Sequence, residues 1–184
     1  NSFNGSRFGS DADIIRHMEL DLTNASGAPV RVELLSLDEP QTLIGKPKHA
    51  KCLDGLVLEV EHYQVKPELL TAQPHLPKIS ERLYSHLLKS NCLVTGQPDW
   101  GTVVIEYQGA PIQHDTLLSY IISFREHNEF HEQCVERIFS DIMRLCKPEK
   151  LLVYARYVRR GGLDINPYRA NFETAFDFSR FTRQ

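Results

Sequence analysis

The sequence predicts an α+β fold built on an antiparallel sheet, and three observations carry that prediction. Strand-like alternation and helix-like spacing come in blocks over residues 83–158, in the order strand, strand, helix, helix, strand, instead of alternating one for one. The first two strand patterns flank a short loop holding Gly96 and Pro98, so they can pair side by side. A hydrophobic content of 41% with 24% charged residues is ordinary for a packed globular chain of 184 residues.

The elements follow in chain order. Residues 11–23 carry Ile14, Ile15, Met18 and Leu22 at helical spacing behind Ser10 or Asp11 as N-cap. Residues 24–29 break the pattern, and 30–34 alternate Val30, Val32 and Leu34 with charged neighbours, as a half-buried strand does. A loop is expected over 38–51 and a second strand over 56–63. Pro67, Pro74 and Pro77 make 66–78 the best linker in the chain. Strands are then expected over 83–91 and 102–108, the latter with Val103, Ile105 and Tyr107 on one face. Residues 115–126 and 129–146 read as helices. The second has an apolar stripe of Phe130, Cys134, Ile138 and Ile142, widened by Val135, Phe139 and Cys146, and Pro148 follows its end. Residues 151–158 read as a strand with Leu151, Val153, Ala155 and Tyr157 inward, closed by Gly161-Gly162, and a last strand is expected around 172–178.

Composition narrows the function classes. No apolar run approaches the roughly 20 residues of a membrane span, and no signal peptide opens the chain. Cys52, Cys92, Cys134 and Cys146 show no Cys-x-x-Cys pairing, which favours free thiols in a reducing cytoplasm. A net charge of -3 predicts no general affinity for nucleic acid. Residues 144–169 nevertheless hold seven Lys/Arg against Glu149 and Asp164, a local excess that suits a phosphate-bearing ligand or a solvated basic face. The opening Asn1-Ser2-Phe3-Asn4 reads as the interior of a longer polypeptide.

Three clusters hold residues able to do chemistry. Cys92 lies at a strand end before the turn that leads to Asp99, where a side chain can be presented to a ligand instead of packed. As a nucleophile it must be a thiolate, so nearby positive charge is required, and Lys89 or the later histidines are candidates to supply it. A buried structural cysteine and a turn aspartate are the competing readings. The second cluster, residues 127–134, places His131 and Glu132 in the first turn of a helix if Asn128 is its N-cap. His127 and His131 at i, i+4 with Cys134 or Cys92 would make a zinc set, but no His-Glu-x-x-His supports one and no metal site is assigned. The third, Arg159-Arg160-Gly161-Gly162, joins arginines that suit phosphate to glycines that admit a close ligand. It matches neither a dinucleotide-binding Gly-rich fingerprint nor a P-loop.

Taken together, Leu-Lys-Ser-Asn-Cys at 88–92, Thr-Gly-Gln-Pro-Asp-Trp-Gly at 95–101, Asn-Glu-Phe-His-Glu-Gln-Cys-Val-Glu-Arg-Ile at 128–138 and the Tyr-Ala-Arg-Tyr-x-Arg-Arg-Gly-Gly-Leu-Asp-Ile-Asn-Pro run to 167 resemble the QueF family. These are the NADPH-dependent 7-cyano-7-deazaguanine (preQ0) reductases of queuosine biosynthesis, here in their long, two-module form. The resemblance implies a tunnelling fold (T-fold), an antiparallel sheet with two helices on one face, in tandem modules. Residues 1–65 would be the remainder of a first module, 66–78 a linker and 79–184 the second, catalytic-cysteine module.

The resemblance further implies that NADPH reduces the nitrile of preQ0 to the aminomethyl group of preQ1. Cys92 matches the cysteine that forms a covalent thioimide and Asp99 the proton donor. His131 and Glu132 match substrate-binding residues, with His131 a further candidate proton donor, and Arg160 and Gly161 match cofactor-binding residues. A homodimer or higher homo-oligomer in the cytoplasm is implied, without direct nucleic-acid or membrane partners. Asn1-Ser2-Phe3-Asn4 resembles the piece after the family's Glu-Ser-Lys-Ser cofactor motif, so this polypeptide alone is expected to reduce preQ0 poorly. The alternatives are a zinc-dependent T-fold enzyme of the GTP cyclohydrolase type and a noncatalytic base- or RNA-binding module.

Overall fold

The computed structural model describes residues 6–34, 45, 47–174 and 180, in two compact units, Asn1–Gln41 and Thr42–Gln184. In the first unit, helix α1 (Asp11–Ser26) starts at Ser10, whose hydroxyl accepts from the Asp13 N–H, and ends on Gly27 in the left-handed conformation. The cap is therefore Ser10. No residue of α1 is buried among the described residues, so its apolar stripe is only half covered. Residues 30–34 form no strand. Val30 N–H donates to Thr23 Oγ1 at 3.1 Å and Val32 N–H to Glu19 Oε1 at 3.0 Å, so helix side chains take the place of a partner strand.

The second unit is a five-stranded sheet in the order β1–β2–β3–β4–β5, made of β1 (Lys51–Cys52), β2 (Ile79–Asn91), β3 (Pro98–Gly109), β4 (Lys150–Tyr157) and β5 (Tyr168–Ala170). Every pairing is antiparallel except β1 with β2. Helices α2 (His114–Ile122) and α3 (His131–Cys146) pack on one face of this sheet. The strand, strand, helix, helix, strand, strand order of residues 79–170 is the α+β arrangement the sequence predicts. The expected loop over 38–51 lies mostly outside the described residues. The last strand falls at 168–170, not 172–178, and residues 175–179 lie outside the described part. No helix among the described residues is long and apolar enough to cross a membrane.

Period-2 burial places the core. Val103, Ile105 and Tyr107 of β3 and Leu151, Val153, Ala155 and Tyr157 of β4 face the helices, while Val104, Leu152 and Tyr154 form a small cluster on the opposite face. On α3, Cys134, Val135, Ile138, Ile142 and Cys146 are buried. Phe130 is not part of that stripe; it is the N-cap residue and stands 45% exposed. The residues beyond Ile122 continue as a 3-10 turn, Ser123–Glu126, and Lys147 ends α3 in the left-handed conformation ahead of Pro148.

Two further stretches differ from expectation. Residues 56–63 alternate in the sequence but form no ladder; Leu58 and Val60 lie against the core while Val57 is fully exposed. An extended chain laid along a core alternates as a strand does, without strand hydrogen bonds. Within 66–78, Pro67–Leu69 form a 3-10 turn, Leu70 is buried, and Gln73 N–H donates to the Pro111 carbonyl at 2.8 Å. That proline-rich segment is fixed on the second unit.

Candidate active site

The site lies where the core face of the sheet meets the start of α3. The register of β2 against β3 slips between Ser85 and Leu88, where β2 spends one residue more than its partner. This bulge brings Leu88 and Ser90, instead of Leu87 and Lys89, onto the core face, with Ser90 opposite Asp99. Cys92 is therefore directed inward, 5% exposed. The strand end is clamped by Asn91, which donates to the His127 carbonyl at 2.8 Å and accepts from Glu129 N–H at 3.1 Å. Cys92 N–H donates to the Gln97 carbonyl at 2.8 Å, and Gly96 N–H donates to the Cys92 carbonyl at 2.9 Å, closing the turn.

That turn aims hydrogen-bond donors at the sulfur. The Thr95 hydroxyl, the Arg160 guanidinium and the backbone N–H groups of Thr95 and Val94 bring the Cys92 thiol down to about 6, against the opposing effect of burial. Lys89, expected as the source of positive charge, does not supply it. Its ammonium donates to Asn91 Oδ1 and to the Arg125 carbonyl, both at 2.6 Å, so it braces the strand end.

Asp99 shares the core face with Gly101, Val103 and Ile105, and is 1% exposed. Its Oδ1 accepts from Arg160 Nε at 2.9 Å and from Nη2 at 2.5 Å. Its Oδ2 stands 3.1 Å from His131 Nε2 but off the line of a hydrogen bond, and both atoms are buried without a hydrogen-bond partner among the described residues. Arg160 is held by a tight turn: Arg160 N–H donates to the Leu163 carbonyl at 3.1 Å and the Leu163 N–H returns a bond at 2.9 Å. Gly161 and Gly162 between them have φ of 55° and 83°, values that ordinary side chains resist.

His131 is the first residue of α3 and only 4% exposed, whereas Glu132 beside it is exposed on the same first turn. Asn128 is not the cap; it pairs with Asn91, and Gln133 Oε1 instead accepts from the Phe130 N–H. His127 and His131 turn to different carboxylates. His127 Nε2 lies 2.8 Å from Glu129, which also binds Arg137 through Nε at 2.9 Å and Nη2 at 2.6 Å. Burial opposes the charge on Glu129, and the Arg137 and His127 bonds overcome it, holding the carboxyl below its ordinary value. Among the described residues, no three His, Cys, Asp or Glu side chains converge as a metal-binding group.

Of the residues singled out in the sequence, the fold gathers Cys92, Asp99, His131 and Arg160 into one cluster, with Glu132 and Gly161 adjoining in the chain. Sequence reasoning missed the bond from Arg160 to Asp99 across 61 positions, and it missed Thr95. It also left Tyr157 as a core residue, although the β4 alternation places that ring on the face of the site. A polarised thiolate, a buried carboxyl 3.1 Å from a buried imidazole, and a guanidinium touching both thiol and carboxyl can add sulfur to a polarised carbon and protonate its neighbour.

A family profile described as QueF-like protein matches residues 98–175. The chain is 61% identical over 185 residues to the NADPH-dependent 7-cyano-7-deazaguanine reductase of Hydrogenovibrio crunogenus, covering 100% of this chain and 66% of that protein. It is 56% identical over 190 residues to the reductase of the same name from Cupriavidus necator, covering 100% of this chain and 67% of that protein. The chain thus spans about two thirds of the length of the curated relatives it matches. Among solved structures, the archaeosine synthase QueF-Like in its apo form aligns with a TM-score of 0.44 at 17% identity, over 56% of this chain and 99% of that one. At these identities across its whole length, the chain belongs to the NADPH-dependent 7-cyano-7-deazaguanine reductase family.

Proposed function

We propose that this chain carries the covalent half of a nitrile reductase site: Cys92 adds to the nitrile of preQ0 to form a thioimide, which is reduced to the aminomethyl group of preQ1 on the way to queuosine. The observation that carries this reading is the convergence of a donor-rich Cys92 turn with the Asp99–His131 pair, 3.1 Å apart and away from solvent. A nitrile carbon is a modest electrophile. The Cys92 sulfur forms the new C–S bond while one C–N π pair is released to the nitrogen, which takes a proton from the Asp99–His131 pair. Burial of both donors keeps that proton from exchanging with water during attack. Glu132, exposed beside His131, is suited to accept two N–H groups of the deazaguanine ring, since a carboxylate offers two oxygens.

The residues at the turn after β4 fit an anionic cofactor. The space over Gly161 and Gly162 is open, with nothing within 4 Å of where a Cβ would stand, and the Arg160 side chain is 34% exposed. Arg160 and Gly161 would hold NADPH, which supplies the hydrides when bound. The protein is read as working in the cytoplasm, as a homo-oligomer, on a free base and not on tRNA. Residues 79–184 are its catalytic module.

Incubation with preQ0 followed by intact-mass measurement is the test. A stoichiometric gain of one preQ0 mass, located on the Cys92 peptide and lost in Cys92→Ala, is expected. No gain with the wild-type chain, or the same gain in Cys92→Ala, would sink the reading.

A further inference from the structure

The orientation of the His131 ring is set by something other than Asp99. The imidazole and the Tyr157 ring lie face to face, with centroids 4.0 Å apart and planes 8° from parallel. Both are out of solvent, at 4% and 0% exposure. The contact from His131 Nε2 to Asp99 Oδ2 is close but badly aligned, so it does not by itself hold the ring plane. A flat ring pressed on another at van der Waals distance cannot turn about its own axis without driving an edge into its neighbour. The stack therefore fixes the one torsion that decides where Nε2 points.

The stack has a support on the far strand. Gly101 is the direct cross-strand partner of Tyr157. A Cβ at Gly101 would stand 3.1 Å from Tyr157 Cδ1, 3.3 Å from Cε1 and 3.2 Å from the Arg156 carbonyl. The Tyr157 ring thus lies over a backbone with no side chain, closer than most Cβ atoms come to a neighbour. At its far end the hydroxyl meets Cys134 and Ser90 in the core. Gly101 is two residues from Asp99 on one face of β3, so the same strand sets the height of the carboxyl and of the platform under the imidazole.

We propose that Tyr157, seated on Gly101, is a positioning residue that locks the His131 imidazole in the plane that keeps Nε2 on Asp99. The proposal rests on the reading of Asp99 and His131 as the proton source for nitrile addition. It assigns to the glycine after Asp99-Trp100 a purpose other than a turn, namely room for an aromatic ring.

The test compares Tyr157→Phe, Tyr157→Leu and Gly101→Ala in the whole chain by three readouts. In NMR spectra of the wild type, the His131 ring protons are expected to be displaced by the Tyr157 ring current. That displacement is expected to survive in Tyr157→Phe, vanish in Tyr157→Leu and change in Gly101→Ala. The rate of adduct formation with preQ0 is expected to fall up to about 100-fold in Tyr157→Leu, as for a catalytic group misplaced by about 1 Å. The half-saturating preQ0 concentration should move far less. Tyr157→Phe should keep a rate within about threefold of wild type. Should Tyr157→Leu fail to fold, Gly101→Ala gives the same reading in smaller amplitude. A Tyr157→Leu protein that keeps either the His131 shift or the wild-type rate, or one that loses only affinity, overturns the proposal. A wild-type chain that forms no adduct instead overturns the functional reading itself.

Discussion

Cys92 and Cys146 have the same solvent exposure, 5% each, yet their thiols are shifted in opposite directions. Burial pushes the Cys146 thiol up to about 11, and Cys134, fully buried in the first turn of α3, also stands at about 11. Cys92 is brought down to about 6. The difference is local. At Cys146 nothing offsets the loss of water, whereas at Cys92 the turn supplies the Thr95 hydroxyl, two backbone N–H groups and Arg160. Exposure alone does not decide whether a cysteine is a nucleophile; what replaces the water does.

The largest effect that can break this comparison is the identity of the reacting thiol. Cys92→Ser is expected to abolish the preQ0 adduct, because a hydroxyl stays protonated under the same donors, while Cys146→Ala keeps it in full. Peptide mapping after incubation with preQ0 checks both, and an adduct on Cys134 or Cys146 would break the comparison outright.

A smaller effect separates the donors. The Cys92 thiolate is present above about pH 6 and is lost below it, so alkylation by iodoacetamide should reach its plateau near pH 7. Thr95→Ala and Arg160→Gln are each expected to move the midpoint up toward the ordinary thiol value of about 8.5, slowing alkylation at pH 7 by up to about tenfold. Thr95 should have the larger share, because its hydroxyl is the largest lowering influence. By linkage, a depressed folded-state value makes stability rise with pH from about 6 toward the unfolded thiol value, and the gain is lost as pH falls through 6. Cys92→Ala should flatten that part of the pH–stability curve. A midpoint unmoved in both donor variants would show that the turn, not its side chains, makes the thiolate.

Much of this was legible in the sequence, and the failures have a common cause. Alternation in 102–108 and 151–158 gave the core faces, and the same parity puts Asp99 on the buried face without further information. A cap at Ser10, one of the two residues expected there, the α3 stripe from Cys134 onward and the stop before Pro148 are local signals, and they held because neighbours in sequence decide them. What failed depends on distant partners. The bulge between Ser85 and Leu88 reverses which residues of β2 face inward, and nothing in 83–91 announces it. Lys89 looked like the ion for Cys92 because it is close in sequence, but the fold ties it to Arg125 and brings Arg160 instead. Val30–Leu34 and 56–63 alternate as strands do, yet no edge in the described residues receives them. The roles of Glu132 and of Gly161 came from family motifs alone, since an exposed carboxylate and an open glycine show no chemistry by themselves.

The smallest effect tests the silent side of the comparison. If Cys146 and Cys134 are only core atoms, their removal should cost packing and nothing else. Cys134→Ala is expected to lower stability by about 1–2 kcal/mol, and Cys146→Ala by less, because Cys146 sits at the helix end where the chain can close over the gap. Denaturant melts at pH 6 and pH 8 should give the same loss at both values, since a thiol held near 11 is protonated throughout that range. Cys92→Ala should differ by showing a loss that grows with pH. The two kinds of cysteine are then distinguished by the pH dependence of their stability change, a quantity independent of any substrate. A pH-dependent loss at Cys146 would mean that its thiol ionises in the folded protein and that burial governs less of α3 than the geometry indicates.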